Sequence, residues 1–270
     1  VLFNMLTYPL GSVPFVAGPL ASTPVDIALG SRVLAAITGG TGAIGLATAK
    51  RLAALGARCV LLYHSEAAES AAAKVASLPG SGHWCFKARI TDSETLKKVA
   101  AEIEKQCGVV HILVNSAGFT KPVPAADLEA LTDDLIDDIL KVNFRGVIAT
   151  IRAFMPLLKK SEDGLVVNIS SIAGFTGSGS NLAYVAAKAS IDVVGDALAK
   201  AFAPQVRVIS VSPGVVDSTF VPGRGADFND KAASTIPLKR IGKADDVAAV
   251  VQACATTMRY VTGTRIVVDG

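Results

Sequence analysis

The segment 38–45 constrains the fold of this chain most, because four of its eight residues are glycine. It follows the short apolar run 33–37 and precedes a helical pattern rich in Ala and Leu. A strand that turns into a helix through glycines presents backbone N–H groups to an anion, and the helix dipole favours negative charge there. The segment therefore predicts a pyrophosphate site, although such a loop alone is a weak signal.

Beyond residue 31, apolar strand-like runs alternate with helical patterns. Several of the runs are apolar along nearly their whole length, as expected for strands that are covered on both faces. The alternation predicts one α/β domain over 32–270, with a doubly wound, Rossmann-like parallel sheet of about seven strands and helices on both faces. The predicted strands are 33–38, 59–63, 84–88, 112–115, 165–170, 206–212 and 264–268, and the predicted helices lie near 45–55, 66–77, 92–106, 125–160, 182–203 and 244–258.

Residues 1–31 differ in composition from the rest of the chain. The first 30 contain one charged residue, Asp26, and prolines at positions 9, 14, 19 and 24. Such regular prolines exclude a continuous helix. The segment has neither the basic start of a secretory signal nor the arginines of a mitochondrial one. We expect an extension that lies on the domain surface or on a neighbouring subunit.

The bulk composition excludes several classes of function. A net charge of +3 is too small to indicate a nucleic-acid partner. No apolar run reaches the roughly 18–20 residues of a membrane helix. The four cysteines are scattered without a CxxC pair, which is typical of a reducing compartment. The histidines lack metal-ligand spacing. We expect a cytoplasmic protein with no metal and no nucleic-acid or membrane partner.

Two residues in the predicted helix 182–203 suggest acid–base chemistry. Tyr184 and Lys188 are four residues apart, so they share a helix face. A free tyrosine has a pKa near 10, and a nearby ammonium would lower it by the roughly 2–3 units that catalysis at neutral pH requires. Ser171 follows a predicted strand and could hydrogen-bond a substrate oxygen. The alternative is a chance meeting of a half-buried Tyr and an exposed Lys, which the glycine loop and the serine make less favourable.

These motifs, in this order, resemble the short-chain dehydrogenase/reductase family over about residues 32–270. The family's glycine motif matches 38–45, and its NNAG motif matches 115–118, with Ser116 as the departure. The stretch 236–270 looks most like the 3-oxoacyl-(acyl carrier protein) reductase branch. The resemblance implies an oxidoreductase that transfers hydride between a nicotinamide cofactor and a carbonyl or alcohol substrate.

The resemblance also implies roles for four active-site residues. Tyr184 would give a proton to the carbonyl oxygen, and Lys188 would lower the tyrosine pKa and hydrogen-bond the nicotinamide ribose. Ser171 would hold the substrate oxygen. Asn143, inside the predicted long helix, would hold a water that links Lys188 to solvent. Because all four residues are present, a cofactor-binding protein without turnover is disfavoured.

A further set of residues is implied to contact the cofactor at the carboxyl edge of the sheet. These are Gly39, Thr41, Ile44, Gly45, Tyr63, His64, Ser65, Arg89, Ile90, Asn115, Ala117, Gly118, Pro213, Gly214, Val216 and Ser218, with Tyr184 and Lys188. NAD binders of this fold have Asp or Glu at the end of the second strand. Tyr63 stands there instead, which favours NADP(H) over NAD(H), although no arginine follows and Glu66 is close. Arg89 replaces the family's aspartate, and it would contact adenine or a phosphate, or be only a solvated surface charge.

The substrate and the assembly are less constrained. We prefer a small carbonyl or alcohol substrate, and the alternative is an acyl carrier protein docked on basic residues such as Arg152, Lys159 and Lys160, which could equally be a solvated face. The glycine-bearing segment 217–240 predicts a mobile lid. The segment 125–160 is more apolar than one buried stripe requires, which predicts a homodimer or homotetramer. Its apolar residues include Leu135, Ile139, Val142, Ile148, Ile151 and Phe154.

Overall fold

The computed structural model of the protein describes residues 29–223, 225 and 227–270, so all but the end of the proposed extension 1–31 lies outside the described residues. Seven strands form one sheet in the order β3-β2-β1-β4-β5-β6-β7, and every neighbouring pair is parallel. The strands are β1 Leu34–Thr38, β2 Arg58–Tyr63, β3 Trp84–Lys87, β4 Ile112–Asn115, β5 Gly164–Ile169, β6 Val206–Pro213 and β7 Thr264–Val268. The predicted fold class is confirmed.

Helices cover both faces of this sheet. They are α1 Ala43–Ala54, α2 Ala68–Ala76, α3 Ser93–Cys107, α4 Asp133–Leu140, α5 Val147–Leu158, α6 Ala173–Thr176, α7 Leu182–Phe202, α8 Phe228–Thr235 and α9 Ala244–Thr256, with a π-helical turn Lys141–Gly146 between α4 and α5. Among the described residues, no helix is long and apolar enough to cross a membrane.

Two apolar cores, one on each face, explain why the strands are hydrophobic throughout. Successive side chains of a strand point to opposite faces. Leu34 and Ala36 of β1 pack in the core beneath α3, α5 and α7, whereas Ala35 and Ile37 pack in the core beneath α1 and α9. All four are fully buried. A parallel sheet covered in this way leaves the edge formed by its strand ends as the natural place for a ligand.

The prediction of one helix over 125–160 is wrong. Helix α4 begins only at Asp133, because the hydroxyl of Thr132 caps it by accepting a hydrogen bond from the N–H of Leu135 at 3.3 Å. The chain before it forms turns, and the π-helical turn then interrupts the helix. Helices α6 and α8 were not predicted, and α8 lies within the segment proposed as a lid.

The topology brings the ends of several strands to one edge of the sheet. Strand β1 pairs with β2 on one side and with β4 on the other, so Thr38 is level with both Leu62 and Asn115. The chain order of the strands reverses here, and ligands of open α/β sheets bind in the crevice at such a point. The glycine loop, which follows Thr38, therefore opens beside the ends of its two neighbouring strands.

Candidate active site

The glycine loop forms a close turn that only glycine allows at two of its positions. Gly39 has a φ of +60°, and a Cβ there would lie 2.9 Å from the backbone of Ala117. A Cβ on Gly45 would lie 2.3 Å from the carbonyl oxygen of Gly39. Helix α1 starts after Gly42 with no side-chain cap and no acidic residue in its first turn. Its first N–H groups can therefore receive a phosphate, so the loop fits the predicted cofactor.

Two cationic side chains lie at the carboxyl edge of the sheet, here called the rim, beside the end of β2. The Nε of Arg89 donates a hydrogen bond to Nε2 of His64 at 2.8 Å. The ammonium of Lys74, on α2, donates to the carbonyl oxygen of Thr41 at 3.0 Å and to Glu66 at 2.7 Å. Sequence reasoning missed Lys74, since only the packing of α2 brings it to the glycine loop.

Other predicted cofactor residues occupy the same rim. Tyr63 is buried at the end of β2, and Ser65 is exposed in the loop that follows. Ile44 is half-buried in the first turn of α1. The side chain of Ile90 lies against Gly146 of the π-helical turn. The structure thus brings β2, α1 and the loop after β3 together, as the resemblance implied.

The loop after β4 is held by polar side chains from three elements. The Nδ2 of Asn115 donates to Oδ1 of Asn168 on β5 at 2.9 Å. The N–H of Ala117 donates to the hydroxyl of Thr38 at 3.3 Å. A Cβ on Gly118 would lie 3.0 Å from Oδ1 of Asn143. The loop therefore passes close to the glycine loop and to the π-helical turn.

Asn143 is fully buried in the π-helical turn rather than inside a continuous helix. Its Nδ2 donates to the carbonyl oxygens of Phe119 at 2.6 Å and Ile139 at 3.0 Å, and its Oδ1 accepts from the N–H of Phe119 at 3.3 Å. The polar atoms of this side chain are engaged with the backbone on both sides, and the expectation that Asn143 holds a relay water stays a prediction.

Ser171, Tyr184 and Lys188 meet at the end of β5. The side chain of Ser171 lies close to the hydroxyl of Tyr184. The ammonium of Lys188 lies 5.5 Å from the centroid of the Tyr184 ring and donates to the carbonyl oxygen of Ile169 at 2.8 Å. Asn181, which sequence reasoning missed, caps α7 by accepting from the N–H of Tyr184 at 2.7 Å. The cap fixes the start of the helix that carries both catalytic candidates.

Burial has the largest effect on the pKa values of Tyr184 and Lys188. It raises the pKa of Tyr184 to about 12, and the hydrogen bond from Ser171 opposes that rise. Burial lowers the pKa of Lys188 to about 8, and the charge of Asp192 opposes that fall. The expectation of a lowered tyrosine pKa is wrong for this structure, because loss of hydration has the largest effect on the phenol and outweighs the opposing effect of Ser171.

The end of β6 closes the site from the other side. The N–H of Gly214, which follows Pro213, donates to the carbonyl oxygen of Val268 at 3.0 Å. Val216 is buried and pairs with the strand-like residue Gly242. The hydroxyl of Ser218 accepts a hydrogen bond from the N–H of Phe220 at 3.4 Å.

Phe220 is a site residue that the sequence did not reveal. Its ring centroid lies 6.0 Å from that of Tyr184, with the rings tilted by 52°. A Cβ on Gly118 would come within 3.2 Å of the same ring. Phe220 is 39% exposed and Phe119, beside Gly118, is 40% exposed. The ring of Phe220 therefore lies beside Tyr184, and Phe119 exposes an aromatic side chain on the neighbouring loop. Among the described residues, no group of three or more His, Cys, Asp or Glu side chains could hold a metal.

A one-domain Rossmann-like sheet with a glycine loop and a Ser–Tyr–Lys trio defines a class of nucleotide-dependent oxidoreductases. The family model described as Enoyl-(Acyl carrier protein) reductase matches residues 39–270. This chain belongs to the short-chain dehydrogenase/reductase family, and it is an oxidoreductase of that family. The family resemblance inferred from the sequence is confirmed.

Three similar proteins have names that describe reductases or dehydrogenases. The chain is 34% identical over 240 residues to Carbonyl reductase family member 4 of Danio rerio, which covers 88% of this chain and 96% of that protein. It is 31% identical over 237 residues to the 3-oxoacyl-(acyl-carrier-protein) reductase FabG of Thermotoga maritima. This match covers 87% of this chain and 95% of that protein. The crystal structure of a dehydrogenase/reductase from Sinorhizobium meliloti 1021 matches with a TM-score of 0.80 at 30% identity. The match covers 91% of this chain and 96% of that chain.

Proposed function

We propose that this protein reduces a carbonyl group at the Ser171–Tyr184 pair. The observation that carries the proposal is the meeting of these two side chains at the end of β5, beside the ammonium of Lys188, because one substrate oxygen can be held there by both hydroxyls. The glycine loop and residues 213–218 would hold the cofactor, which when bound would supply hydride to the carbonyl carbon. Tyr184 would deliver the proton to the oxygen.

The electrostatics support this direction of proton transfer. A pKa of about 12 keeps the Tyr184 phenol protonated, which is the form that donates. The phenolate left behind would gain from the ammonium of Lys188, which is buried beside the ring. Ser171 would hold the oxygen in line with the phenol.

Replacement of Tyr184 by Phe tests the mechanism. The variant keeps the ring packing but removes the proton donor, so turnover should fall by about two or more orders of magnitude. Cofactor affinity, measured by fluorescence titration, should change little. Ser190→Ala is a matched control on the same helix, since the Ser190 hydroxyl bonds only the local carbonyl oxygen of Ala186. Near-normal turnover in the Phe variant would refute the role of Tyr184.

We propose NADP(H) as the preferred cofactor, with NAD(H) as the alternative. Arg89 places a positive charge near the end of β2, where a 2′-phosphate would lie. Glu66 does not stand free to repel it, because its carboxylate is paired with Lys74 at 2.7 Å. Tyr63 leaves the position of the ribose-binding carboxylate without a negative charge.

We propose an apolar carbonyl compound as the substrate. The exposed ring of Phe220 lies beside that of Tyr184, and Phe119 exposes a second ring on the loop after Gly118, so apolar groups next to a carbonyl would remove aromatic surface from water. Oxidation of NADPH and NADH should be compared across aromatic ketones, alicyclic ketones, 3-oxoacyl thioesters and sugars. The proposal expects the apolar ketones to react with the highest kcat/KM.

A 3-oxoacyl group on a carrier protein is the second candidate, favoured by the names of relatives such as FabG of Thermotoga maritima. Four exposed carboxylates on α4, which packs against α7, would repel an acidic carrier protein. These carboxylates are Asp133, Asp134, Asp137 and Asp138. Comparing one 3-oxoacyl group on carrier protein and on N-acetylcysteamine separates the candidates, since a docked carrier lowers KM and a free thioester does not.

We propose further that the protein forms a symmetric dimer or tetramer in a reducing compartment such as the cytoplasm. Of the apolar residues cited for assembly, Ile139, Ile151 and Phe154 are buried in the chain's own core. Val142 and Ile148 keep part of their surface exposed, so they remain available to a second copy. All four cysteines are free, which fits a reducing compartment. Light scattering after size exclusion would contradict the assembly if the mass were strictly monomeric.

A further inference from the structure

Asp192 is a buried carboxylate that the proposed chemistry does not use. It lies on α7 one turn after Lys188, and the two residues are only 4% and 5% exposed. Carboxylates are rarely buried so completely unless they are paired. Side chains on a helix lean toward its N-terminus, so Asp192 leans toward the turn that carries Lys188.

Arg265 is the partner that holds this carboxylate. Its guanidinium, on β7, donates to Oδ2 of Asp192 at 3.2 Å. The same guanidinium lies 4.9 Å from the centroid of the Phe175 ring on α6. Oδ1 of Asp192 is buried and has no hydrogen-bond partner among the described residues. Arg265 therefore holds Oδ2 of Asp192, whereas Oδ1 acts on its surroundings only through its charge.

Lys188 needs a source of negative charge that its own contacts do not supply. The hydrogen bond of its ammonium goes to a neutral acceptor, the carbonyl oxygen of Ile169. Loss of hydration favours the neutral amine. Three titratable or charged side chains surround it: the phenol of Tyr184, the carboxylate of Asp192 on the same helix, and, behind that carboxylate, Arg265 on β7.

We propose that Asp192 is a positioning residue that keeps the ammonium of Lys188 charged, and that Arg265 holds Asp192 in place. The inference rests on the proposed function of Lys188. Burial lowers the pKa of Lys188 and the charge of Asp192 raises it, which agrees with the arrangement of the three side chains. The catalytic helix is thereby tied electrostatically to strand β7 at the edge of the sheet.

Titration of Lys188 in the cofactor-free protein tests the inference directly. Lysine is labelled with carbon-13 at Cε, and the Lys188 signal is identified by its loss in Lys188→Arg. In Asp192→Asn the midpoint should fall by about one pH unit, a tenfold change in the protonation equilibrium. Asp192→Glu should restore most of it. Asp196→Asn, on an exposed position of the same helix, is the matched control and should leave the midpoint unchanged.

Arg265→Gln keeps the inference falsifiable if Asp192→Asn does not fold. It keeps a side-chain N–H donor for Oδ2 of Asp192 but removes the positive charge behind the carboxylate, so the Lys188 midpoint should rise. An unchanged midpoint in Asp192→Asn, or a fall in Arg265→Gln, overturns the inference and leaves the proposed function standing. Unchanged turnover in Lys188→Ala would instead overturn the proposed role of Lys188, whatever the titrations show.

Discussion

The side chain of Asn143 holds the backbone of Phe119 by both of its polar groups. Its Nδ2 donates to the carbonyl oxygen at 2.6 Å, and its Oδ1 accepts from the N–H at 3.3 Å. Phe119 follows Gly118, so the amide fixes the loop that lies between the glycine loop and the ring of Phe220. The π-helical turn places Asn143 there, which gives this irregular piece of helix a structural purpose.

Asn143→Ala should therefore lower both stability and activity. It leaves buried backbone groups of Phe119 without partners, which costs about 1–3 kcal/mol. We expect a lower urea midpoint and a fall in kcat of about tenfold or more as the loop loses its position. Asn229→Ala is the control, since that side chain is exposed and donates to Asp217 at 3.4 Å. Unchanged kcat with lowered stability would limit Asn143 to a role in folding.

Lys74→Met should selectively weaken the use of NADPH. The ammonium lies at the glycine loop and neutralises Glu66, so its loss leaves an unpaired carboxylate that repels a 2′-phosphate. We expect kcat/KM for NADPH to fall about tenfold, about 1.4 kcal/mol, and that for NADH to change much less. Lys105→Met, on an exposed position of α3, is the control. Equal losses for both cofactors would show that Lys74 only stabilises the loop.

Tyr63→Asp tests the same preference from the other side of the rim. A carboxylate at the end of β2 accepts from a ribose 2′-OH and repels a 2′-phosphate. The variant should shift the ratio of specificity constants toward NADH. A parent protein that already prefers NADH by about tenfold or more, about 1.4 kcal/mol, would contradict the interpretation of Tyr63.

Phe220→Ala should change the selection of substrates more than the chemistry. The ring lines the opening beside Tyr184, so its removal exposes that side of the site to water. We expect KM for aromatic ketones to rise several-fold, with a smaller effect on small aliphatic ketones. Leu238→Ala removes an apolar side chain that is 65% exposed and serves as a control. Equal changes for all substrates would argue against an apolar substrate contact.

Stability should decline in acid partly through His111. Its Nδ1 accepts the N–H of Leu34 at 3.1 Å, and burial, with a smaller effect from Arg58, lowers its pKa below the ordinary value. The unfolded chain then binds the proton first, so this contribution is present above about pH 6.5 and is lost as the pH falls below it. His111→Asn can accept the same N–H without titrating. Urea midpoints from pH 8 to 5 should fall less steeply in the variant, and parallel curves would contradict the assignment.

Local patterns in the sequence were sufficient for the fold class and for the elements that carry Ser171, Tyr184 and Lys188. Apolar runs long enough to be buried on both faces specified a parallel sheet, and glycines 39 and 45 specified the turn into α1. The spacing of Tyr184 and Lys188 placed both on one helix face. These inferences succeeded because each depends on residues that are close together in the chain. NADP preference, assembly and the residue roles stay predictions.

Other features of the site were decided only by the tertiary structure. Lys74 reaches Thr41 across 33 residues, and Arg265 reaches Asp192 across 73. The pKa of Tyr184 was expected to fall and instead rises, because burial by residues from distant elements sets its hydration. The sequence by itself determined which elements form and which residues follow each strand, since those depend on local periodicity. The tertiary structure decided which charged groups meet and how much hydration they lose, since burial and pairing depend on the packing of elements far apart in the chain.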